Sequence, residues 1–289
     1  MENSFGFGCV GLSSQSTLFN ALNLLETAFD EGITHFDTAP IYGNGYSEKI
    51  LGIFVKGKRE KISITTKFGL SSINEKNLRP DIALPLNYAR KKLLKRIKNP
   101  DNLFQPNLLD IREINKSQIE KDFYSSLKKM RCGYFDYYLI HEGIPKFLTD
   151  EAILFLFNLK KEGYVKKIGI ACSYLNYNNL SEQDIKDWDI LQYENGINYH
   201  SNEFITEFSS KTHFYHSLLR GIKKVSNSSL PHQDLAGIVL AKASLQNPQG
   251  KIIFSSSKKN NIIGNIKAFT KFKKYSLSDI NLLLKGAIH

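Results

Sequence analysis

Four side chains that can exchange protons lie at the ends of short apolar segments of the sequence or soon after them. Asp37 ends the first of these segments, and Tyr42 follows it in a loop that contains proline and glycine. Lys67 comes directly after the β-rich run of residues 62–66, and His141 ends another such run. An acid, a phenol, an amine and an imidazole are the usual donors and acceptors of general acid–base catalysis. We therefore take these four residues as candidates for a catalytic site.

Strand-like runs and helical patterns alternate along the chain. The strand-like runs cover residues 5–12, 33–36, 62–66, 134–140, 165–172, 188–193, 212–218 and 251–256. The helical patterns cover residues 17–31, 47–55, 86–97, 117–130, 150–162, 181–186, 226–245 and 260–272. Strict alternation implies parallel strand pairing with right-handed crossovers.

Eight such units in 289 residues predict an α/β fold, a (β/α)8 TIM barrel. Barrels of this type carry their chemistry at the carboxyl ends of the strands, which is where the four candidate residues lie. A doubly wound open sheet is the alternative architecture. No GxGxxG string follows the first strand and opens a helix, and this absence counts against the alternative.

A long connection, residues 69–116, interrupts the alternation after the third strand. Its four prolines prevent one long helix, although a basic helix is predicted over residues 86–97. Connections of this length are usually functional. We therefore expect a single domain, residues 1–289, whose insertion covers the barrel mouth. Residues 142–149 are expected to shape the substrate pocket as well.

The composition is that of a globular protein, with 42% apolar and 23% charged residues. Cys9, Cys132 and Cys172 share no metal-like spacing, which predicts a reduced, cytoplasmic protein without a metal site. The sequence has no basic-then-apolar leader and no apolar run of about 18 residues, so we expect neither export nor membrane insertion. The net charge of +11 is compatible with nucleic acid. However, the basic clusters at 90–98 and 271–274 are not interleaved with aromatic residues, so we expect no nucleic-acid partner.

The strings around these residues resemble those of the aldo-keto reductase family over almost the whole chain. They are GFGCVG, GITHFDTAPIYGNGYSEKILG, ITTKFG, FDYYLIH, GYVKKIGI, ILQYEN, FYHSLLRG and IIFSSS followed by IIGNI. The resemblance implies a nicotinamide-dependent carbonyl reductase with a tetrad of Asp37, Tyr42, Lys67 and His141. Tyr42 would be the proton donor, tuned by Lys67 and Asp37, and His141 would orient the carbonyl.

The chemistry of such a tetrad can also be argued from first principles. Hydride delivery to a carbonyl carbon leaves an alkoxide, which needs a proton at once. A free tyrosine, with a pKa of about 10, is a reluctant acid–base group near pH 7, and a nearby ammonium lowers that pKa. A carboxylate keeps the lysine charged and in place. Taken singly, each residue also has an ordinary structural explanation, such as a helix cap or a solvated lysine.

The resemblance further implies residues that bind the cofactor. Tyr215 matches an aromatic residue that stacks on the nicotinamide ring, and Gln192 matches a glutamine that contacts the carboxamide. Gly8 lies where the backbone passes close to the cofactor. Leu218 and Arg220 lie where the chain approaches the pyrophosphate.

Two stretches depart from the family pattern. Ala171 and Cys172 replace a Ser-Asn pair that holds the carboxamide in relatives, so either Gln192 or a shifted Ser173 compensates or the nicotinamide is held more weakly. The positions that match the adenosine-phosphate site carry no strong cation; they are Ser255, Ser256, Asn261, Gly264 and Asn265.

Two lysines near these positions offer an alternative contact for the phosphate. Lys258 and Lys259 start the last predicted helix, and together with its exposed N–H groups they can bind phosphate. NADPH is therefore the expected cofactor, and NADH is possible.

The expected function is NAD(P)H-dependent reduction of an aldehyde or ketone to an alcohol, or the reverse oxidation. The expected partner is a small carbonyl or sugar substrate, and the oligomeric state stays open. Two alternatives are an NAD-dependent sugar dehydrogenase of the same family and a nicotinamide-binding regulatory subunit with little turnover.

Overall fold

The computed structural model describes residues 4–70, 78–94, 113–172, 180–196, 208–222 and 229–287. Within them, parallel strands form a closed barrel in sequence order. The strands are β1 (Phe5–Gly8), β2 (His35–Asp37), β3 (Ser63–Phe68), β4 (Phe135–His141), β5 (Val165–Ala171), β6 (Ile190–Glu194), β7 (Thr212–His216) and β8 (Lys251–Phe254). The predicted (β/α)8 barrel is confirmed.

Helices connect the strands and cover the outside of the barrel. In the described part of the chain they are α1 (Leu18–Asp30), α2 (Tyr46–Val55), α3 (Pro80–Leu94), α4 (Lys116–Met130), α5 (Asp150–Lys161), α6 (Glu182–Ile185), α7 (His232–Gln246), α8 (Lys259–Phe272) and α9 (Leu277–Ala287). Parallel strands require such crossovers, because each connection must return to the other end of the sheet. The strands are therefore largely buried on both faces, and the exposed Lys166 and Lys167 at the start of β5 are exceptions.

The strand register aligns the carboxyl ends of the strands. Gly8 lies opposite Asp37 in the β1–β2 pair. His141 lies opposite Ala171 in the β4–β5 pair, and Ala171 lies opposite Gln192 in the β5–β6 pair. The predicted catalytic and cofactor residues of these strands therefore meet at one end of the barrel.

Alternation along each strand divides the apolar residues into two layers. An inner cluster that includes Leu139, Ile190 and Phe214 fills the barrel interior. The intervening residues, such as Tyr138 and Tyr193, point outward and pack beneath the helices. This period of two decides whether a residue near a strand end faces the barrel mouth or the helix layer.

Several predicted boundaries need correction. The basic helix begins at Pro80 rather than at residue 86, and it continues through Pro85 to Leu94. Pro80 suits the first helical position, and Pro85 removes one helical hydrogen bond without ending the helix. The first strand ends at Gly8 rather than at residue 12, because Cys9–Ser14 forms a 3-10 helix.

Other parts of the prediction are incomplete. The amphipathic helix α9, whose Ile280 and Ala287 are buried, lies beyond the last predicted helix and is an addition to the predicted elements. Much of the insertion, residues 71–77 and 95–112, lies outside the described residues, as does Ser173. Within the described ranges, no helix combines the length and apolarity needed to cross a bilayer. Nor do those ranges contain a group of three His, Cys, Asp or Glu side chains that could hold a metal ion.

Candidate active site

The loop between β2 and α2 brings Tyr42 to the barrel mouth. Gly43, Asn44 and Gly45 follow it with φ angles of +59°, +55° and +81°, a run that glycine and asparagine adopt most readily. Ser47 then anchors the loop, since its hydroxyl donates to the Cys9 carbonyl at 2.9 Å. The turn residues and this anchor together fix where the phenol lies.

Lys67 and Asp37 form a buried ion pair on the barrel side of this loop. The Lys67 Nζ donates to Asp37 Oδ1 at 2.7 Å and to the Thr38 carbonyl at 3.0 Å. The other Asp37 oxygen accepts a hydrogen bond from Gln192 Nε2 at 3.0 Å. Burial lowers the pKa of Lys67, but the neighbouring Asp37 and Tyr42 more than offset this effect, so the pKa is raised. Lys67 is therefore an ammonium at neutral pH.

Tyr42 lies against this ammonium. The Lys67 Nζ is 5.2 Å from the centre of the Tyr42 ring and also interacts with its hydroxyl. Burial raises the pKa of Tyr42 more than Lys67 lowers it, so the net pKa is above its usual value. The lysine acts in the direction expected from the sequence, but burial has the larger effect. The phenol is consequently protonated at neutral pH and can donate a proton.

His141 completes the cluster on the other side of Tyr42. The two rings meet edge to face, with centres 5.8 Å apart and an interplanar angle of 86°. Burial, and then the charge of Lys67, lower the pKa of His141 well below its usual value, so the imidazole is neutral. Its Nδ1 is buried and has no hydrogen-bond partner among the described residues. Buried polar atoms without a partner are uncommon and often face a ligand site.

These four side chains line one cavity of about 560 Å³ at the barrel mouth. A second cavity of about 320 Å³ shares Leu219 and Ser255 with the first, so the two adjoin. The predicted cofactor residues that line the first cavity are Gly8, Gln192, Leu218, Arg220 and Ser255. Those that line the second are Ser255, Ser256 and Asn265. The arrangement suits an elongated ligand that reaches the tetrad with one end.

Two predicted cofactor residues are not brought to these cavities. Tyr215 is fully buried and packs against Tyr193, with ring centres 5.4 Å apart. It belongs to the outward-facing layer of β7, so it cannot stack on a ligand in the barrel mouth. Lys259 starts α8 and lines neither cavity.

His216 lines the first cavity although the sequence did not single it out, and Glu142, the first residue of the segment 142–149 that was expected to shape the pocket, lines it as well. His216 follows the outward-facing Tyr215, and strand alternation turns it toward the mouth. Burial, and then Lys67 and Arg220, lower its pKa to about 3, so it is neutral. His216 comes immediately before the string Ser217-Leu218-Leu219, and this position in the sequence is the signal that could have identified it.

The substituted pair at the end of β5 has two different environments. Ala171 lines the cavity, whereas Cys172 is buried and donates its backbone N–H to the Gln192 carbonyl at 3.2 Å.

Two of the predicted cofactor residues in the cavity also contact other lining residues. Arg220 pairs with Glu194 at 2.7 Å on the rim. The side chain of Gln192 is held by Asp37, so Gln192 links the cofactor region to the tetrad.

Glu48, in the SEKILG string, has a structural position rather than a place in the cavity. It is fully buried and accepts a hydrogen bond from the Thr66 hydroxyl at 2.8 Å. Lys129 lies 3.5 Å from its other oxygen. Glu48 therefore fixes α2, and with it the Tyr42 loop, to β3 and α4.

Parts of the sequence are similar to those of known proteins. The Aldo-keto reductase YhdN of Bacillus subtilis is 28% identical over 153 residues, 52% of this chain and 36% of that protein. A D-threo-aldose 1-dehydrogenase of a Pseudomonas species is 44% identical over 66 residues, 20% of this chain and 20% of that protein. The chain thus spans less than half the length of these curated relatives.

The fold is shared with solved structures along most of the chain. An aldo-keto reductase from Klebsiella pneumoniae in complex with NADPH covers 98% of this chain and 90% of its own, with a TM-score of 0.64 and 15% identity. The sequence profile described as the Aldo/keto reductase family matches residues 4–207. Since that match covers more than half of the sequence, the chain belongs to the aldo/keto reductase family.

Proposed function

We propose that the chain reduces an aldehyde or ketone to an alcohol with NAD(P)H, or catalyses the reverse oxidation. One observation carries the proposal: a protonated phenol, a buried ammonium–carboxylate pair and a neutral imidazole surround a single cavity. This set matches the needs of a carbonyl oxygen that gains negative charge and then a proton. Family membership supports the same reaction class.

Each of the four residues has a role in the proposed reaction that follows from its position. Tyr42 donates its phenolic proton to the carbonyl oxygen, and Lys67 stabilises the phenolate that remains. Asp37 holds Lys67 in place through the 2.7 Å contact. His141 donates a hydrogen bond from one ring N–H to the same oxygen and orients the carbonyl. Burial keeps its imidazole neutral, so the proton comes from Tyr42 and not from His141. When bound, the cofactor supplies the hydride.

The two adjoining cavities fit a dinucleotide. Gly8 lines the first cavity, and a Cβ at this position would collide with the side chain of Ser255, which lines both cavities. Leu218 and Arg220 would hold the pyrophosphate, and Ser256 and Asn265 would hold the adenosine end. The NADPH complex of the Klebsiella relative supports the same class of cofactor.

His216 takes the place proposed for Tyr215 against the nicotinamide. His216→Ala is expected to weaken NADPH binding about three- to tenfold, because it removes a flat ring from the cavity wall. Tyr215→Leu is expected to lower the melting temperature and to leave the affinity within about twofold, because its ring packs in the outer layer. Calorimetric titration of each folded variant measures the affinity. A loss of NADPH affinity that is larger in Tyr215→Leu than in His216→Ala would contradict the assignment of His216 to the nicotinamide.

The proposed function is tested by incubating the purified protein with NADPH or NADH and a panel of small aldehydes and ketones. Absorbance at the reduced-nicotinamide band and chromatography of the product are followed together. We expect one alcohol for each reduced cofactor consumed. Cofactor binding without turnover of any substrate would contradict the proposal and favour the regulatory alternative.

A second candidate is an NAD-dependent dehydrogenase of a sugar. Among its described lining residues, the second cavity contains no Lys or Arg, so no permanently cationic side chain of this lining meets a 2′-phosphate. The relationship to an aldose dehydrogenase points the same way. Tighter binding of NAD⁺ than of NADP⁺, together with oxidation of a sugar, would favour this candidate.

A further inference from the structure

A third cavity, of about 480 Å³, lies among the helices outside the barrel, and we call it the basic cavity. It shares no lining residue with the two cavities at the barrel mouth. Its described lining contains no Asp or Glu, and it includes five cations: Lys49, Arg79, Lys128, Lys129 and Arg131. Its volume lies in the range of small-molecule sites.

The cations of the basic cavity come from three different elements. Lys49 belongs to α2, Arg79 directly precedes α3, and Lys128, Lys129 and Arg131 lie at the end of α4. Cations in the last turn of a helix ordinarily complement the helix dipole, which would explain the residues of α4. It does not explain why Lys49 and Arg79 line the same cavity. The dipole of one helix therefore does not account for this concentration of positive charge.

Two of these cations have acidic partners outside the cavity lining. The Lys129 Nζ lies 3.5 Å from Glu48 Oε2, and Arg79 pairs with Asp81 at 2.9 Å. These carboxylates offset part of the positive charge. Because the Lys129 side chain is largely buried beside Glu48, contact with a ligand has to come chiefly from the other cations.

Lys128 and Arg131 meet this requirement. Both are exposed residues of the cavity lining, and neither forms an ion pair with a residue that the structure describes. Arg131 follows the last helical residue with a φ of +52°, a left-handed conformation that residues other than glycine rarely adopt. A guanidinium and an ammonium are therefore available at one wall of the basic cavity.

We propose that the basic cavity binds a small molecule that carries two or more phosphate groups. Arginine holds two phosphate oxygens at once with its planar fork, and lysine adds a compact charge. Cations contributed by three separate elements favour several phosphate groups over a single one. Ile53, Leu78 and Pro80 line the same cavity and offer apolar contacts to a flat ring. The expected class is therefore a nucleoside di- or triphosphate, bound apart from the proposed cofactor site.

The test is calorimetric titration of the whole chain with ATP and with AMP, without divalent metal ions, in the presence and absence of saturating NADPH. The test variant is Lys128→Gln/Arg131→Gln, which removes the two cations without a described ion pair. The matched control is Lys273→Gln/Lys274→Gln, which removes two exposed lysines just after α8. Both variants lower the net charge by the same amount, so they separate a specific site from general attraction to a basic protein.

We expect ATP to bind with a stoichiometry of one and at least tenfold more tightly than AMP, which has a single phosphate. The test variant should weaken ATP binding at least tenfold, because it removes charge-assisted hydrogen bonds. The control should stay within about twofold of the wild type, and so should the wild type with NADPH bound. The single variant Lys128→Gln should weaken ATP binding about threefold, and it serves if the double variant does not fold.

Unchanged ATP affinity in the test variant, an equal loss in the control, or displacement of ATP by NADPH would each overturn the proposal. So would a wild type that does not bind ATP but binds a single-stranded oligonucleotide through Lys128 and Arg131, a result that would identify a nucleic-acid surface instead. The titrations measure no turnover, so a negative result leaves the proposed reductase activity intact.

Discussion

The Tyr42→Phe variant is expected to lose about 1000-fold or more in kcat/KM for carbonyl reduction while it still binds NADPH. The substitution removes only the hydroxyl that donates the proton. The ring remains to pack edge to face on His141, so the shape of the cavity is kept. Steady-state kinetics measures the loss, and calorimetric titration measures the retained affinity.

Tyr138→Phe is the matched control for this variant. It is the same chemical change at a fully buried tyrosine on the outward face of β4, where the hydroxyl makes a 3.5 Å contact with the Ile119 carbonyl. It should leave kcat/KM within about twofold, since this hydroxyl is remote from the cavity. A Tyr42→Phe enzyme that keeps more than a tenth of the wild-type kcat/KM would exclude Tyr42 as the proton donor.

The Lys67→Met variant should lose both turnover and stability. It leaves the Asp37 carboxylate, which is 3% exposed, without its cation. Removing one partner of a buried ion pair typically costs about 3–5 kcal/mol of unfolding free energy. The phenolate also loses its ammonium, so we expect kcat/KM to fall about 100- to 10,000-fold. Urea unfolding and steady-state kinetics give the two quantities separately.

The double variant Lys67→Met/Asp37→Asn separates the two effects. A neutral amide at position 37 removes the unpaired buried charge, so the unfolding free energy should recover by about 2 kcal/mol or more. Turnover should stay low, because no ammonium is restored. Recovery of turnover together with stability would mean that Lys67 serves the fold rather than the reaction.

The barrel, and the meeting of the four candidate side chains at its mouth, were predictable from the sequence because their signals are local. Apolar runs alternate with helical patterns, and Asp37, Lys67 and His141 lie at the ends of such runs. Parallel strands gather their carboxyl ends at one edge, so residues at those ends meet whatever the details of packing. The string around Tyr42 carries its own turn residues, which the structure uses in left-handed conformations.

Other features depend on contacts between residues that are far apart in sequence. Whether Tyr215 or His216 faces the cavity depends on the strand register, because a shift by one residue turns every side chain to the opposite face of the sheet. The Gln192 side chain meets Asp37 across the barrel, 155 positions away, which no local pattern records. The pKa of Tyr42 is raised because enclosure by the whole barrel mouth outweighs one neighbouring ammonium.

The sequence by itself therefore determined the kind of fold and which four candidate side chains lie at the barrel mouth, since strand periodicity and turn residues are local features of the sequence. The tertiary structure alone decided which face each strand-end residue presents, that Glu142 lines the cavity, and how burial shifts the pKa values of Tyr42 and His141. The physical reason is that the direction of a side chain and its burial are set only when strands that are distant in sequence pair and close into the barrel.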